Sequence, residues 1–195
     1  MKKIIEALKK LKSKDIEPNL LRKTLQEFDL KKLKIDKEYR DIVPDAYYRQ
    51  FILNDPIQVF LMNWPPQFFY PIHQHNNFWG FVIPIKGILS ETLYGYAPNK
   101  RKVFTHPTKT FNKGELIYEP YNVIHKLQNV SPIGELITLH VYFPPAYNFS
   151  GTKIFDAKNR TLAILNEQAA NISWDLPDDQ YELKEEDAYD LEKLW

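Results

Sequence analysis

From about Tyr47 to Phe143 the chain is cut into short runs rich in Val, Ile, Phe, Tyr and Thr, separated by Pro, Gly and Asn. YYRQFIL, IQVFLMNW, FWGFVIPI, SETLYGY, ELIYE and ELITLHVYF are examples. β-branched and aromatic residues suit a pleated, half-buried surface, and runs of this length are strands rather than helices. So many short strands, closely spaced, predict an antiparallel sandwich or barrel. Gly87, Gly114 and the LNDPIQ segment around Pro56 supply the turns. Pro144-Pro145 lacks the N–H groups a ladder needs and is read as the end of the strand region.

The flanks differ in texture. Ile4, Ile5, Leu8 and Leu11 fall at helical spacing with lysines between them, which predicts an amphipathic helix. A second helix is predicted with Leu21, Leu25 and Phe28 on its apolar face and Asn19, after Pro18, as its cap. TLAILNEQAA reads as a short helix, and the acidic tail behind it as a cover for the barrel. With 195 residues, one domain is expected over 1–195: a helical segment 1–40, a barrel 41–148 and an extension 149–195.

Charge and composition exclude several classes. A formal net charge of +1 gives no footprint for nucleic acid or an acidic membrane. Residues 1–34 carry eleven Lys/Arg and five Asp/Glu, whereas 175–192 carry nine Asp/Glu and a single Lys, read as solvated faces or ends that attract one another. Without cysteine there is no disulfide, thiolate metal site or Cys nucleophile. MKKIIEALKKLKSKD has the lysines of a signal peptide, but Glu6 and Lys9 interrupt its apolar stretch, and no run reaches the length of a membrane span. The expected location is cytoplasmic.

Side chains two apart on a strand share a face. His73 and His75 in PIHQH can therefore offer two imidazoles to one point. Thr138, His140 and Tyr142 share one face of TLHVYF while Leu139, Val141 and Phe143 share the other, and Tyr47 and Arg49 form a third pair. Four of the five histidines lie in such contexts, His125 in NVIHKLQNV being the fourth. Neutral imidazole is the commonest protein ligand for a transition metal, so His73, His75 and His125 are the candidate ligands. A single H-x-H pair also serves for ordinary core hydrogen bonding. Three histidines suit zinc as well as iron, and spacing alone stops at a transition metal with open positions. His106 is read as a surface residue, and Phe78, Trp79 and Phe81 as barrel packing.

PIHQHNNFWGFVIPIKG followed by GELIYEPYNVIHKLQN resembles the two cupin motifs. The resemblance implies a mainly β fold, the cupin double-stranded barrel or jelly roll, here with N-terminal helices. Most cupins place a Glu ligand four or five residues after the second His, where this chain has Trp79 and Gly80. With that ligand missing, and with G-I-L-S-E-T-L-Y, T-L-H-V-Y-F-P-P and the upstream Y-Y-R, residues 40–148 resemble the cysteine dioxygenase group of thiol dioxygenases.

That resemblance implies Fe(II) on His73, His75 and His125. It implies a small thiol and O2 as the reacting partners, and a sulfinate product in cysteine catabolism. It places Arg49 at the substrate carboxylate and Tyr47 in the pocket lining. It makes His140 and Tyr142 the catalytic pair, with Thr138 bonded to His140. Animal members link the tyrosine to a cysteine; the matching position here is Gly80, so the link cannot form. Gln74 replaces an Asp, and Asn122 replaces a Gly and tolerates a left-handed backbone. Three other readings stand beside cysteine dioxygenation: a 3-mercaptopropionate dioxygenase, a zinc cupin, and a non-catalytic metal-binding cupin that holds a ligand. Arginine at position 49 leans toward an amino-acid thiol.

Overall fold

The computed structural model describes residues 1–36, 47–145 and 147–194. Two helices come first, α1 (Lys2–Lys9) and α2 (Pro18–Gln26). Pro18 opens α2, where its fixed φ and missing N–H cost nothing. Glu17, not Asn19, is therefore the N-cap, and the expected Asn19 cap lies inside the helix. The strands follow in chain order: β1 (Tyr48–Leu53), β2 (Gln58–Trp64), β3 (Ile72–Gln74), β4 (Trp79–Lys86), β5 (Leu89–Ala97), β6 (Lys102–Thr105), β7 (Lys109–Phe111), β8 (Ile117–Glu119), β9 (Ile124–Asn129), β10 (Leu136–Phe143), β11 (Lys153–Asp156), β12 (Thr161–Leu165), β13 (Tyr181–Glu185) and β14 (Asp190–Lys193).

They form two sheets, one ordered β1-β2-β10-β4-β8 and the other β13-β12-β11-β3-β9-β5-β6-β14, with β7 also paired to β5. The sheets curl into the double-stranded β-barrel, or jelly roll. Gly87 and Gly114 take φ of 79° and 83°, and Asn122 takes 63°, so the turns fall on residues that accept the left-handed region.

Register explains why β2, β4 and β10 are almost continuously apolar. Leu139 lies opposite Leu61 and Ile83, and Val141 opposite Val59 and Phe81. These outer-face residues share one buried cluster with Ile4, Ile5, Leu8, Leu21 and Leu25 of the two helices. Opposite partners share a face, so His140 stands level with Phe60 and Val82 on the inner face, which packs in a second cluster. A sheet covered on both sides needs apolar residues at nearly every position.

Two readings of the C-terminal region are corrected. Strands do not end at Pro144-Pro145: β11 to β14 extend the second sheet. Within TLAILNEQAA, Thr161–Leu165 is β12, not a helix, because it has strand partners on both sides, β11 and β13. Pairing context outweighs the weak local preference of so short a run. The acidic tail ends in β14, parallel to β6. Its acids pair with barrel cations: Glu185 with Arg101 at 3.2 Å, Glu192 with Lys102, and Asp187 with Arg160.

Candidate metal centre and pocket

The inner face of the second sheet brings three histidines together. His73 on β3 lies directly opposite His125 on β9. His75 follows β3 and is held by backbone bonds in both directions, its N–H to the Val123 carbonyl at 2.9 Å and its carbonyl from the Asn122 N–H at 2.6 Å. All three are buried, and one ring nitrogen from each lies within 4.8 Å of the others.

Outer contacts decide which nitrogen each ring presents. His73 Nδ1 is 2.9 Å from the Pro71 carbonyl, so as a donor there it leaves Nε2 with a free lone pair. His125 Nδ1 is 2.8 Å from Glu91 Oε1, which likewise leaves its Nε2. That atom lies 3.0 Å from His75 Nε2. Two ligands at right angles on a first-row ion, each at about 2.1 Å, stand about this far apart. The donor set therefore fits one transition metal ion. Burial first, and then neighbouring imidazoles, hold His73 and His75 well below the usual histidine range, so both are neutral and ready to ligate.

Two carboxylates adjoin the triad, Glu91 behind His125 and Glu119 at its side. Besides Glu91, Glu119 Oε1 lies 3.6 Å from His125 Nδ1 and Oε2 lies 3.7 Å from His75 Nε2. Burial lowers His125, but Glu119 and Glu91 outweigh it and raise its pKa above the ordinary value. Glu119, wholly buried, is pushed up to about 7, chiefly by that burial. A carboxylate on the rear nitrogen of a ligating histidine fixes its tautomer and raises its basicity.

The first sheet supplies the facing wall. Trp64 Nε1–H donates to Thr138 Oγ1 at 2.8 Å, Thr138 Oγ1 is 2.8 Å from His140 Nε2, and His140 Nδ1 is 2.8 Å from the Tyr142 hydroxyl. The hydroxyl then donates to Glu119 Oε2 at 2.6 Å. Arg49 lies opposite Met62 on β1 and turns toward the same cavity. It is the one cationic side chain lining it among the described residues, and none of the ion pairs among them takes it. Tyr47 backs the cavity from behind, its ring stacked on Phe68 at 4.8 Å and edge-on to Trp64 at 6.0 Å. The cavity is small, about 30 Å³.

Gly80 is what lets Tyr142 lie where it does. The two residues are directly opposite on β4 and β10, and a Cβ on Gly80 would stand 2.2 Å from Tyr142 Cδ1 and 2.2 Å from the Val141 carbonyl. Gly80→Ala is expected to cost about 1–3 kcal/mol through overpacking and to push the Tyr142 ring out of place. Urea unfolding together with near-ultraviolet circular dichroism checks this; unchanged values for both would contradict it.

Of the residues singled out from the sequence, Arg49, His73, His75, His125, His140 and Tyr142 line this pocket, Thr138 reaches it through His140, Tyr47 packs behind the wall instead of lining it as expected, and His106 is exposed as expected. Trp79 and Phe81 pack outward with the helices, but Phe78 lines the cavity, its ring 4.2 Å from that of His75, which corrects its reading as packing alone. Sequence reasoning passed over Glu91, Glu119, Trp64, Tyr147 and Ile172. The first two carried a signal: each is an acid in an otherwise apolar or hydroxylic strand run, LSETLY and LIYEP, where a charge is kept only with a partner.

A family model described as cysteine dioxygenase type I matches residues 20–158. The chain belongs to the cysteine dioxygenase type I family. Solved structures resemble it at low identity and over part of the chain. An uncharacterised protein with a double-stranded β-helix domain from Klebsiella pneumoniae is 14% identical, covering 63% of this chain and 90% of its own, with a TM-score of 0.47. A recombinant oxalate oxidase in complex with glycolate is 16% identical over 52% of each chain, with a TM-score of 0.41. The DMSP lyase DddQ from Ruegeria pomeroyi is 12% identical over 59% of this chain and 53% of its own, with a TM-score of 0.39. The chain thus spans about half the length of the oxalate oxidase and of the lyase. In this chain a buried histidine triad able to bind a metal faces a small pocket. No helix among the described residues is long and apolar enough to cross a membrane.

Proposed function

We propose that this protein is an Fe(II)-dependent thiol dioxygenase of the cytoplasm that converts L-cysteine and O2 to cysteine sulfinate. The observation that carries the reading is a triad of buried histidines, two of them held neutral, facing a small cavity whose one cation among the described residues is Arg49. His73, His75 and His125 would hold the iron through Nε2. Bound there, the metal supplies the redox chemistry that O2 needs and favours the thiolate form of the substrate.

The protein's own groups do the rest. Arg49 receives the substrate carboxylate; a planar guanidinium binds carboxylate through two parallel hydrogen bonds. Its neighbours Tyr70 and Tyr147 bring phenols rather than competing acids to that end of the cavity. Phe60, Met62, Phe78 and Leu127 form apolar wall and exclude water, which strengthens the polar contacts inside. Tyr142 stands against His75, ring centroids 5.6 Å apart, and so meets the reacting groups with its hydroxyl. His140, kept well below the usual histidine range mainly by burial, holds that hydroxyl as a neutral ring. Overall, R–SH and O2 give R–SO2H: sulfur loses four electrons, O2 takes them up, and no further reductant is needed.

Tyr142→Phe removes one hydroxyl and no metal ligand. The expected result is unchanged iron content with kcat lowered about 10²-fold, the scale of one positioned acid–base or hydrogen-bonding group. Turnover at the wild-type rate would remove Tyr142 from the chemistry. Reaction with isotopically labelled O2 tests the reaction class: two labelled oxygens in one sulfinate are expected, and a single labelled oxygen would exclude a dioxygenase.

A further inference from the structure

Tyr142, Gly80 and Glu119 form one row across three strands, β10, β4 and β8, since Gly80 is the register partner of both others. Side chains of such a row share a face. Gly80 has none, and the Tyr142 ring leans over its vacant place until the hydroxyl reaches Glu119. We infer that Glu119 is a positioning residue: it takes the Tyr142 proton in a hydrogen bond, so the phenol oxygen turns a lone pair, not a proton, toward the cavity. The inference deepens the dioxygenase reading and rests on it only for what Tyr142 faces.

The direction of the chain is set at its far end, where the Tyr142 hydroxyl donates to Glu119 Oε2, and Thr138 is free to match it. Trp64 Nε1 can only donate, so Thr138 Oγ1 accepts there and its own proton is free for His140 Nε2, 2.8 Å away. His140, a neutral ring, then carries its proton on Nδ1 and donates it to the Tyr142 oxygen. The phenol proton has one acceptor left among these groups, Glu119 Oε2 at 2.6 Å. With one lone pair engaged by His140 and the proton by Glu119, the second lone pair is what Tyr142 has left to offer a group in the cavity it lines. It suits a substrate N–H, and Tyr142 acts on the reacting groups as an acceptor.

Glu119 also stands near His125 and His75, so a direct effect on the metal must be told apart from an effect through Tyr142. The first experiment needs no turnover. Nitrogen-15 spectra of the full-length protein loaded with diamagnetic zinc, with His140 assigned by a His140→Gln comparison among only five histidines, report its tautomer. The Nδ1–H form is expected in the wild type, and a shift toward a mixture in Glu119→Gln, whose amide can donate as well as accept. The second is a double-mutant cycle on the iron-loaded enzyme. Glu119→Gln is expected to lower kcat about tenfold with little change in KM or iron affinity, and to have no further effect in the Tyr142→Phe background. Finding His140 as the Nε2–H form in the wild type would overturn the inference. So would a Glu119→Gln loss that persists in the Phe background or appears as weakened iron binding. A correct tautomer in a protein without thiol oxidation would instead leave the hydrogen-bond assignment standing and sink the dioxygenase reading.

Discussion

His125→Ala is expected to yield a protein that holds no stoichiometric metal and oxidises no thiol. His125 is the one triad member on β9; the other two come from β3 and the residue just after it. Without it, two imidazoles from one segment remain. Loss of a residue merely supporting a ligand lowers metal affinity by about 10–100-fold, so loss of the ligand itself should exceed that. The substitution has a second consequence. Glu91 and Glu119 are buried and face the His125 ring at 2.8 and 3.6 Å. Removing their partner leaves two carboxylates in the interior, and a broken buried pair costs about 3–5 kcal/mol. Metal analysis after anaerobic purification and urea unfolding of the variant check both effects. A His125→Ala protein that turns over without metal would refute the site assignment, whatever its stability.

Arg49→Met is expected to change which thiols are oxidised rather than whether iron binds. Arg49 touches none of the triad's hydrogen bonds and sits at the cavity end with Tyr70 and Tyr147. A substrate carboxylate left without its cation inside the pocket loses about 2–5 kcal/mol, roughly 30-fold or more in kcat/KM. Cysteamine, which has no carboxylate, should lose far less. Arg49→Lys keeps the charge but not the two-pronged geometry, and an intermediate value is expected. The ratio of kcat/KM for cysteine over cysteamine is the quantity to measure. An unchanged ratio in Arg49→Met would move the carboxylate site elsewhere.

The residues that announced themselves in the sequence are those whose chemistry is tied to short spacing. His73 and His75, or Thr138, His140 and Tyr142, are two apart, and strand geometry alone puts each set on one face. The helices were legible because Ile4, Ile5 and Leu8 repeat at helical spacing and have one face to bury. What spacing could not give is the row across strands. Glu119 meets Tyr142 only because β8 and β10 flank β4 in a particular register, and no local signal encodes that pairing. Glu91 reaches His125 across β5 and β9 for the same reason. The C-terminal strands were missed because TLAIL is short and apolar throughout, a pattern that suits a helix turn as well as a strand until its partners are known. Likewise Ile172, from the extension, lines the cavity although nothing near it in sequence resembles a site.

The most direct test of the account is O2 consumption by the Fe(II)-loaded protein with L-cysteine, 3-mercaptopropionate, cysteamine and mercaptosuccinate in parallel, with the product identified. The account predicts uptake of one O2 per thiol, fastest with L-cysteine, and cysteine sulfinate as the product. Faster uptake with 3-mercaptopropionate would keep the reaction and correct the substrate. No uptake with any of the four, in protein shown to hold iron, would contradict the account and leave a metal-binding pocket that serves some other ligand.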